Sequence, residues 1–151
     1  MEFNAFGVCP PGKPKRSPSA IASDEAHRRA VVLLVFWASW CGPCVGDIPH
    51  EKELVERFAG RPFAIVGVNA DESRETATQA MREHATPWRS FWNGEGGSKG
   101  SISAAWNVRG WPTVYVIDHL GVIRHKNLRR EDLDAPLEKS IAVAKLAGGK
   151  R

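Results

Sequence analysis

The chain has 151 residues, 42% hydrophobic and 25% charged, with a formal net charge of +4 at pH 7. This length fits one domain that can bury a core, and three cysteines are too few for a disulfide scaffold. The basic excess lacks the interleaved aromatic residues of a nucleic-acid interface, and no apolar run reaches the ~18 residues that span a bilayer, so neither nucleic-acid binding nor stable membrane insertion is predicted.

Residues 1–22 are rich in proline, lysine, serine and glycine, a composition that predicts a flexible lead-in. One folded domain is predicted over residues 23–148. The N-terminus has no charged region followed by an apolar region, so it is not a secretory signal peptide as written. Cys9 in the lead-in is predicted to be a free, exposed thiol without an assigned role.

Strands and helices alternate along the rest of the chain. Strands are predicted at 31–37, 63–69, 113–118 and 122–126. Helices are predicted at 42–59, 73–84, 101–107 and 131–147, with irregular chain over 87–100. The first three strands are expected to run parallel because helical crossovers join them, and the fourth returns by a hairpin. This order predicts an α/β fold, a three-layer α/β/α sandwich with a mixed central sheet.

Cys41 and Cys44 lie where the first predicted strand ends and the first long helix begins. Free N–H groups and the helix dipole stabilise a thiolate there, and two intervening residues allow a disulfide to close. Pro43 falls in the first turn, where a missing N–H costs nothing. Cys41 is therefore predicted to be the more exposed, attacking thiolate, and Cys44 the buried, resolving thiol. The alternative is a pair of unreactive core cysteines.

A zinc ribbon would need a second Cys or His pair at ligand spacing, which the sequence lacks. No metal or other cofactor is therefore expected. The late basic cluster that includes Arg124, Arg129 and Arg130 is predicted to be a solvated surface.

The segment FWASWCGPC at 36–44, followed by Pro49 and by GWPT at 110–113, resembles the thioredoxin superfamily. With DIP at 47–49, VNADES at 68–73 and VRGWPTVYVID at 108–118, the chain is similar to the TlpA/ResA-like branch in particular. The resemblance covers about residues 30–147 and implies a thioredoxin-like fold. It also implies disulfide exchange with protein substrates, and the Gly-Pro spacer favours a reductant.

The resemblance implies a substrate surface beside the cysteine pair. Pro112 matches the cis-proline of the family, and the backbone of Trp111 would pair with an extended substrate chain. Trp40 and Trp111 would form an apolar collar around the pair. The predicted substrate-binding residues are Trp40, Gly42, Pro43, Trp111 and Pro112.

Asp47 lies one helical turn after Cys44, where an acidic residue of the TlpA/ResA-like branch assists proton transfer. A partly buried carboxylate at this place could accept the proton of Cys44, and the alternative is a solvated helix aspartate. Thioredoxin itself carries a buried aspartate at the position of Val35 for this task. The apolar residue here therefore resembles the TlpA/ResA-like branch more than thioredoxin.

The sequence thus predicts a protein disulfide oxidoreductase with catalytic residues Cys41, Cys44 and Asp47. It would act as a monomer on protein thiols and disulfides, with an upstream electron donor. By resemblance it would work outside the cytoplasm, in the periplasm or at a membrane. The alternatives are a peroxiredoxin-like thiol peroxidase and a redox-inactive module that binds peptides at the Trp111-Pro112 surface.

Overall fold

The computed structural model describes residues 29–148. The predictions for the lead-in over 1–22 and for Cys9 lie outside these described residues. The strands are β1 (Val31–Trp37), β2 (Phe63–Asn69), β3 (Arg89–Trp92), β4 (Thr113–Ile117) and β5 (Ile123–Lys126). The helices are α1 (Gly42–Arg57), α2 (Arg74–Glu83), α3 (Ser101–Ala105) and α4 (Asp134–Gly148), with 3-10 turns at Gly97–Lys99 and Arg130–Leu133.

The five described strands form one mixed sheet in the order β3-β2-β1-β4-β5. β1 and β3 pair with β2 in parallel, whereas β4 pairs with both β1 and β5 in antiparallel fashion. β1 lies at the centre of the sheet, and this position explains its continuous apolar sequence.

Successive residues of β1 pack on opposite faces of the sheet. Leu33 belongs to a buried cluster that contains Leu54 of α1 and Leu137 of α4. Phe36 belongs to a second cluster, against which Ile102 of α3 packs. Helices thus cover both faces of the mixed sheet, and the predicted thioredoxin-like α/β fold is confirmed.

The sequence did not predict strand β3. Residues 89–92, expected to be irregular, form β3 through parallel pairing with β2. Four residues with mixed burial give no periodicity, and the pairing partner alone defines this strand.

The direction of one predicted strand was also wrong. The strand over 113–117 was expected to run parallel to β1 but is antiparallel to it. The helical crossover from β2 leads to β3, so the chain approaches β1 from the opposite direction.

Candidate active site at the start of helix α1

Cys41 and Cys44 are joined by a disulfide, with an S–S distance of 2.04 Å and a Cα–Cα distance of 5.2 Å. Cys41 is the N-cap residue of α1, and the backbone N–H of Cys44 donates to the Cys41 Sγ at 3.3 Å. Pro43 lies in the first turn of α1. The sulfur of Cys41 therefore sits among the N–H groups that would stabilise a thiolate after reduction.

The two cysteines differ little in exposure, although Cys41 was predicted to be the more exposed. The exposed fractions are 5% for Cys41 and 3% for Cys44, so both residues are buried. Both belong to the buried apolar cluster that contains Leu33 and Leu54, and Trp111 packs against this cluster. Tertiary packing around the start of α1, rather than position along the helix, sets the access to Cys41.

Of the residues predicted to bind substrate, Trp40, Gly42 and Pro43 adjoin the two cysteines in the chain, and Trp111 packs against the cluster that contains both cysteines. The ring of Trp40 is 55% exposed and meets the ring of Trp111 edge-on, with centroids 6.1 Å apart. The Trp111–Pro112 peptide bond is cis, as the resemblance implied. Gly42 and Pro43 are exposed. An apolar surface therefore adjoins the exposed turn between the two cysteines.

Asp47 is buried and is held by two arginines. The Nε of Arg129 donates to Asp47 Oδ2 at 2.6 Å, and the Nε of Arg130 donates to Oδ1 at 2.9 Å. The hydrogen bond to Asp47 raises the pKa of Arg129, burial lowers it, and the charges of Asp47 and Glu51 raise it further. Asp47 is therefore an ion-paired carboxylate. Both arginines were predicted to be solvated, and their side chains are 39% and 55% exposed, but the sequence did not predict their ion pairs with Asp47, which lies 82 residues before Arg129 in the chain.

Glu51, which the sequence analysis did not single out, is buried one helical turn beyond Asp47. The pKa of Glu51 is raised to about 8, mainly by burial and also by the charge of Asp47, against the lowering effect of the charge of Arg129. The spacing of three and four residues through Cys44, Asp47 and Glu51 places them along one side of α1. That spacing was the available sequence signal for a second acid near the cysteine pair.

A third buried acidic residue, Asp71, holds the chain just before Cys41. Asp71 accepts hydrogen bonds from the backbone N–H of Ser39 at 3.2 Å and from its hydroxyl at 2.7 Å. The side-chain amide of Asn69 also donates to Asp71, at 2.8 Å. Ser73 caps α2 by accepting from the N–H of Thr76. Asp71 therefore anchors the loop that leads into the CGPC segment.

Two further observations concern ligands and membranes. Among residues 29–148, the His, Cys, Asp and Glu side chains form no group of three or more that could hold a metal ion. No helix within these residues combines the length and apolar character needed to cross a bilayer.

Comparison with known sequences places this chain in a family. The family model described as Redoxin matches residues 12–146. A thiol:disulfide interchange protein DsbE homolog from Paracoccus denitrificans is 32% identical over 129 residues, which cover 80% of this chain and 68% of that protein. The thioredoxin-like protein YneN from Bacillus subtilis is 37% identical over 93 residues, 62% of this chain and 53% of that protein.

Solved structures show the same similarity. A putative thiol:disulfide interchange protein DsbE from Chlorobium tepidum has a TM-score of 0.65 and 28% identity, covering 82% of this chain and 84% of that chain. The thioredoxin domain of a thiol-disulfide oxidoreductase from Bacteroides vulgatus has a TM-score of 0.69 and 25% identity, covering 76% of this chain and 81% of that chain.

Proposed function

Because this chain belongs to the Redoxin family of the thioredoxin superfamily, in its TlpA/ResA-like branch, we propose that it reduces disulfides of protein substrates through Cys41 and Cys44. Thiol-disulfide oxidoreduction is the general activity of the chain. The direction of electron flow, the protein substrates and the roles of single residues are the proposal. The observation that carries it is the disulfide at the N-cap of α1, where Cys44 N–H donates to Cys41 Sγ.

The reaction begins with the pair in its dithiol form. The thiolate of Cys41 attacks one sulfur of the substrate disulfide, forms a mixed disulfide, and releases the other substrate sulfur as a thiolate. Cys44 then loses its proton and attacks the Cys41 sulfur. This second step closes the Cys41–Cys44 disulfide and releases the second substrate thiolate, so two electrons pass to the substrate. An upstream dithiol donor returns the two electrons to the pair.

Asp47 supports the second step in this proposal. It lies one turn after Cys44 on α1, is buried, and forms ion pairs with Arg129 and Arg130. Val35 of β1 is apolar and buried. The strand therefore offers no acid at the position where thioredoxin carries its acceptor. Asp47 is therefore the proposed acceptor for the proton of Cys44.

The substrate would lie across the apolar surface formed by Trp40 and Trp111. An extended substrate chain could hydrogen-bond to the backbone of Trp111, next to Pro112. The exposed Trp40 ring supplies an apolar contact on the other side of the CGPC turn. Protein substrates with exposed, extended segments around their disulfide fit this surface.

The test is the reduction of insulin disulfides driven by dithiothreitol. We expect the protein to accelerate this reaction and Cys41→Ser to abolish the acceleration. Cys44→Ser retains the attacking thiol but lacks the resolving one, so it accumulates a mixed disulfide with substrate that mass spectrometry can identify. Cys9→Ser is the matched control, since it removes the third cysteine and leaves the pair intact.

Three results would contradict the proposal. Full activity of Cys41→Ser would exclude Cys41 as the nucleophile. Rapid thiol-dependent turnover of peroxide, without insulin reduction, would favour the peroxidase alternative. A pair that resists both reduction and alkylation in the folded protein would favour a redox-inactive peptide-binding module.

A further inference from the structure

Arg129 makes two contacts that link separate parts of the candidate active site. Its Nε donates to Asp47 Oδ2 at 2.6 Å, and its Nη2 donates to the backbone carbonyl of Pro43 at 3.2 Å. Pro43 lies in the two-residue spacer between Cys41 and Cys44. One guanidinium group therefore contacts both the buried acid on α1 and the turn that carries the two sulfurs.

The loop that carries Arg129 is fixed to the sheet. The side-chain oxygen of Asn127 accepts from the backbone N–H of Val114 at 3.3 Å, and the Asn127 N–H donates to the Val114 carbonyl at 2.7 Å. Asn127 and Arg130 both adopt positive φ, at 60° and 48°. These turns present Arg129 and Arg130 side by side toward Asp47. The position of the guanidinium is thus determined by β4 and not by α1 alone.

The charges around Asp47 do not cancel. Two guanidinium groups, of Arg129 and Arg130, face a single carboxylate, that of Asp47. The neighbouring Glu51 has a pKa of about 8, raised mainly by burial, so it is largely protonated at pH 7. These four groups together carry an excess positive charge next to the CGPC turn. A positive charge near a cysteine favours its thiolate.

We propose that Arg129 is a positioning residue that stabilises the reduced form of the Cys41–Cys44 pair, because its guanidinium holds a positive charge against the Pro43 carbonyl. The negative charge of Asp47 opposes this effect. The inference rests on the proposed function, since it concerns the redox equilibrium of the same pair. Arg129 acts through the CGPC turn and does not contact the sulfurs in the described structure. Its expected effect is on the equilibrium between disulfide and dithiol.

The equilibrium can be measured with glutathione as the probe. Two glutathione thiols give two electrons and two protons to the Cys41–Cys44 disulfide and become one glutathione disulfide. The protein disulfide bond breaks, and two cysteine thiols form. The fraction of the Cys41 thiol that ionises releases its proton to solvent. A group that stabilises this thiolate shifts the equilibrium toward the reduced protein.

The experiment compares equilibrium constants of variants at pH 7, with the redox state read by alkylation and mass spectrometry. We expect Arg129→Met to shift the equilibrium about threefold to tenfold toward the disulfide, because a nearby positive charge is lost. Arg129→Lys keeps a positive charge but cannot contact both Asp47 and the Pro43 carbonyl as the guanidinium does, so its shift should be smaller. Asp47→Asn removes the opposing negative charge, so it should shift the equilibrium in the opposite direction, toward the dithiol.

The opposite signs separate an electrostatic role from a structural one. General damage to the fold would move Arg129→Met and Asp47→Asn in the same direction, and circular dichroism would report any loss of folding. Arg61→Met is the matched control, because Arg61 pairs with Glu138 on the surface at 2.7 Å, away from the CGPC turn. It should leave the constant unchanged.

Two outcomes distinguish this inference from the proposed function. A wild-type disulfide that neither glutathione nor dithiothreitol reduces would contradict the proposed function itself. A wild-type pair that cycles normally, with an Arg129→Met constant equal to wild type or shifted in the same direction as Asp47→Asn, would contradict only the role of Arg129.

Discussion

Ser39 donates both its backbone N–H and its hydroxyl to the carboxylate of Asp71, and the Oγ–Oδ1 distance is 2.7 Å. The two residues lie 32 positions apart in the chain, one after β1 and one after β2. Because Ser39 precedes Cys41 by only two residues, this contact fixes the start of the CGPC segment. The ends of two adjacent parallel strands thus act together to place the cysteine pair.

We expect Asp71→Ala to reduce the free energy of unfolding by about 1–3 kcal/mol, because it removes the acceptor of the buried Asn69 amide and of two donors of the exposed Ser39. Ser39→Ala removes only one donor and should cost about 1 kcal/mol. Urea denaturation measures both values. Glu72→Ala, at the exposed neighbour of Asp71, should stay within about 0.5 kcal/mol of wild type. Equal stabilities of Asp71→Ala and Glu72→Ala would contradict the anchoring role.

Glu51 should make the protein less stable as the pH rises. Its pKa of about 8 in the folded protein, raised mainly by burial, exceeds the ordinary value of 4.5. Between these two values the unfolded chain ionises Glu51 while the folded protein keeps it protonated, so the unfolded state binds fewer protons. The free energy of unfolding therefore falls across this pH window and levels off above about pH 8.

Glu51→Gln removes this linkage. We expect the variant to gain stability over wild type as the pH rises from 4.5 to about 8, by on the order of a few kcal/mol at the upper end. Urea denaturation at a series of pH values measures the difference. Glu56→Gln, on the exposed side of the same helix, is the control and should follow the wild-type curve. A Glu51→Gln curve parallel to wild type would refute the buried-acid interpretation.

Asp118 should stabilise the β4–β5 hairpin at neutral pH. Its carboxylate accepts from the N–H groups of Leu120 and Val122, at 2.9 and 3.0 Å, and pairs with Arg124. Burial acts to raise the pKa of Asp118, but the hydrogen bonds from Val122, Arg124 and Leu120 together lower it below the ordinary value. This stability is present above the ordinary pKa of 3.8 and is lost as the pH falls through the lowered value.

Asp118→Ala should therefore reduce the free energy of unfolding at pH 7 by about 1–3 kcal/mol, since two turn N–H groups lose their acceptor. Arg124→Met removes one ion pair, whose guanidinium is half exposed, and should cost less, about 0–1 kcal/mol. Thermal and urea unfolding measure these differences. Identical losses in the two variants would mean that the ion pair, rather than the turn hydrogen bonds, is the stabilising contact.

Trp40→Ala should weaken the reaction with protein substrates and spare the reaction with small disulfides. The exposed Trp40 ring packs on Trp111 and offers apolar area only to a substrate large enough to reach it. We expect kcat/KM for insulin to fall about threefold to tenfold, while reduction of a small aromatic disulfide changes little. Leu120→Ala, at an exposed apolar residue in the β4–β5 turn, is the control. An equal loss with both substrates would argue against a docking role.

The sequence was sufficient where the signal is local. The apolar run over 31–37 predicted the central strand, because a continuous apolar run rich in β-branched residues is typical of a strand covered on both faces. The CGPC spacing at a strand-to-helix junction predicted the disulfide and its place at the N-terminus of α1. The resemblance implied the cis bond before Pro112. Each of these features depends on residues within a few positions of one another.

The tertiary structure decided which distant side chains share the site. The sequence predicted Arg129 and Arg130 to be solvated charges and did not indicate an ion-pair partner for them. The β4–β5 hairpin and the loop after it bring both side chains to Asp47. β3 and the antiparallel direction of β4 also follow from pairing rather than from local pattern. Periodicity and spacing describe neighbours along the chain, whereas charge pairing and strand pairing depend on where the folded chain returns.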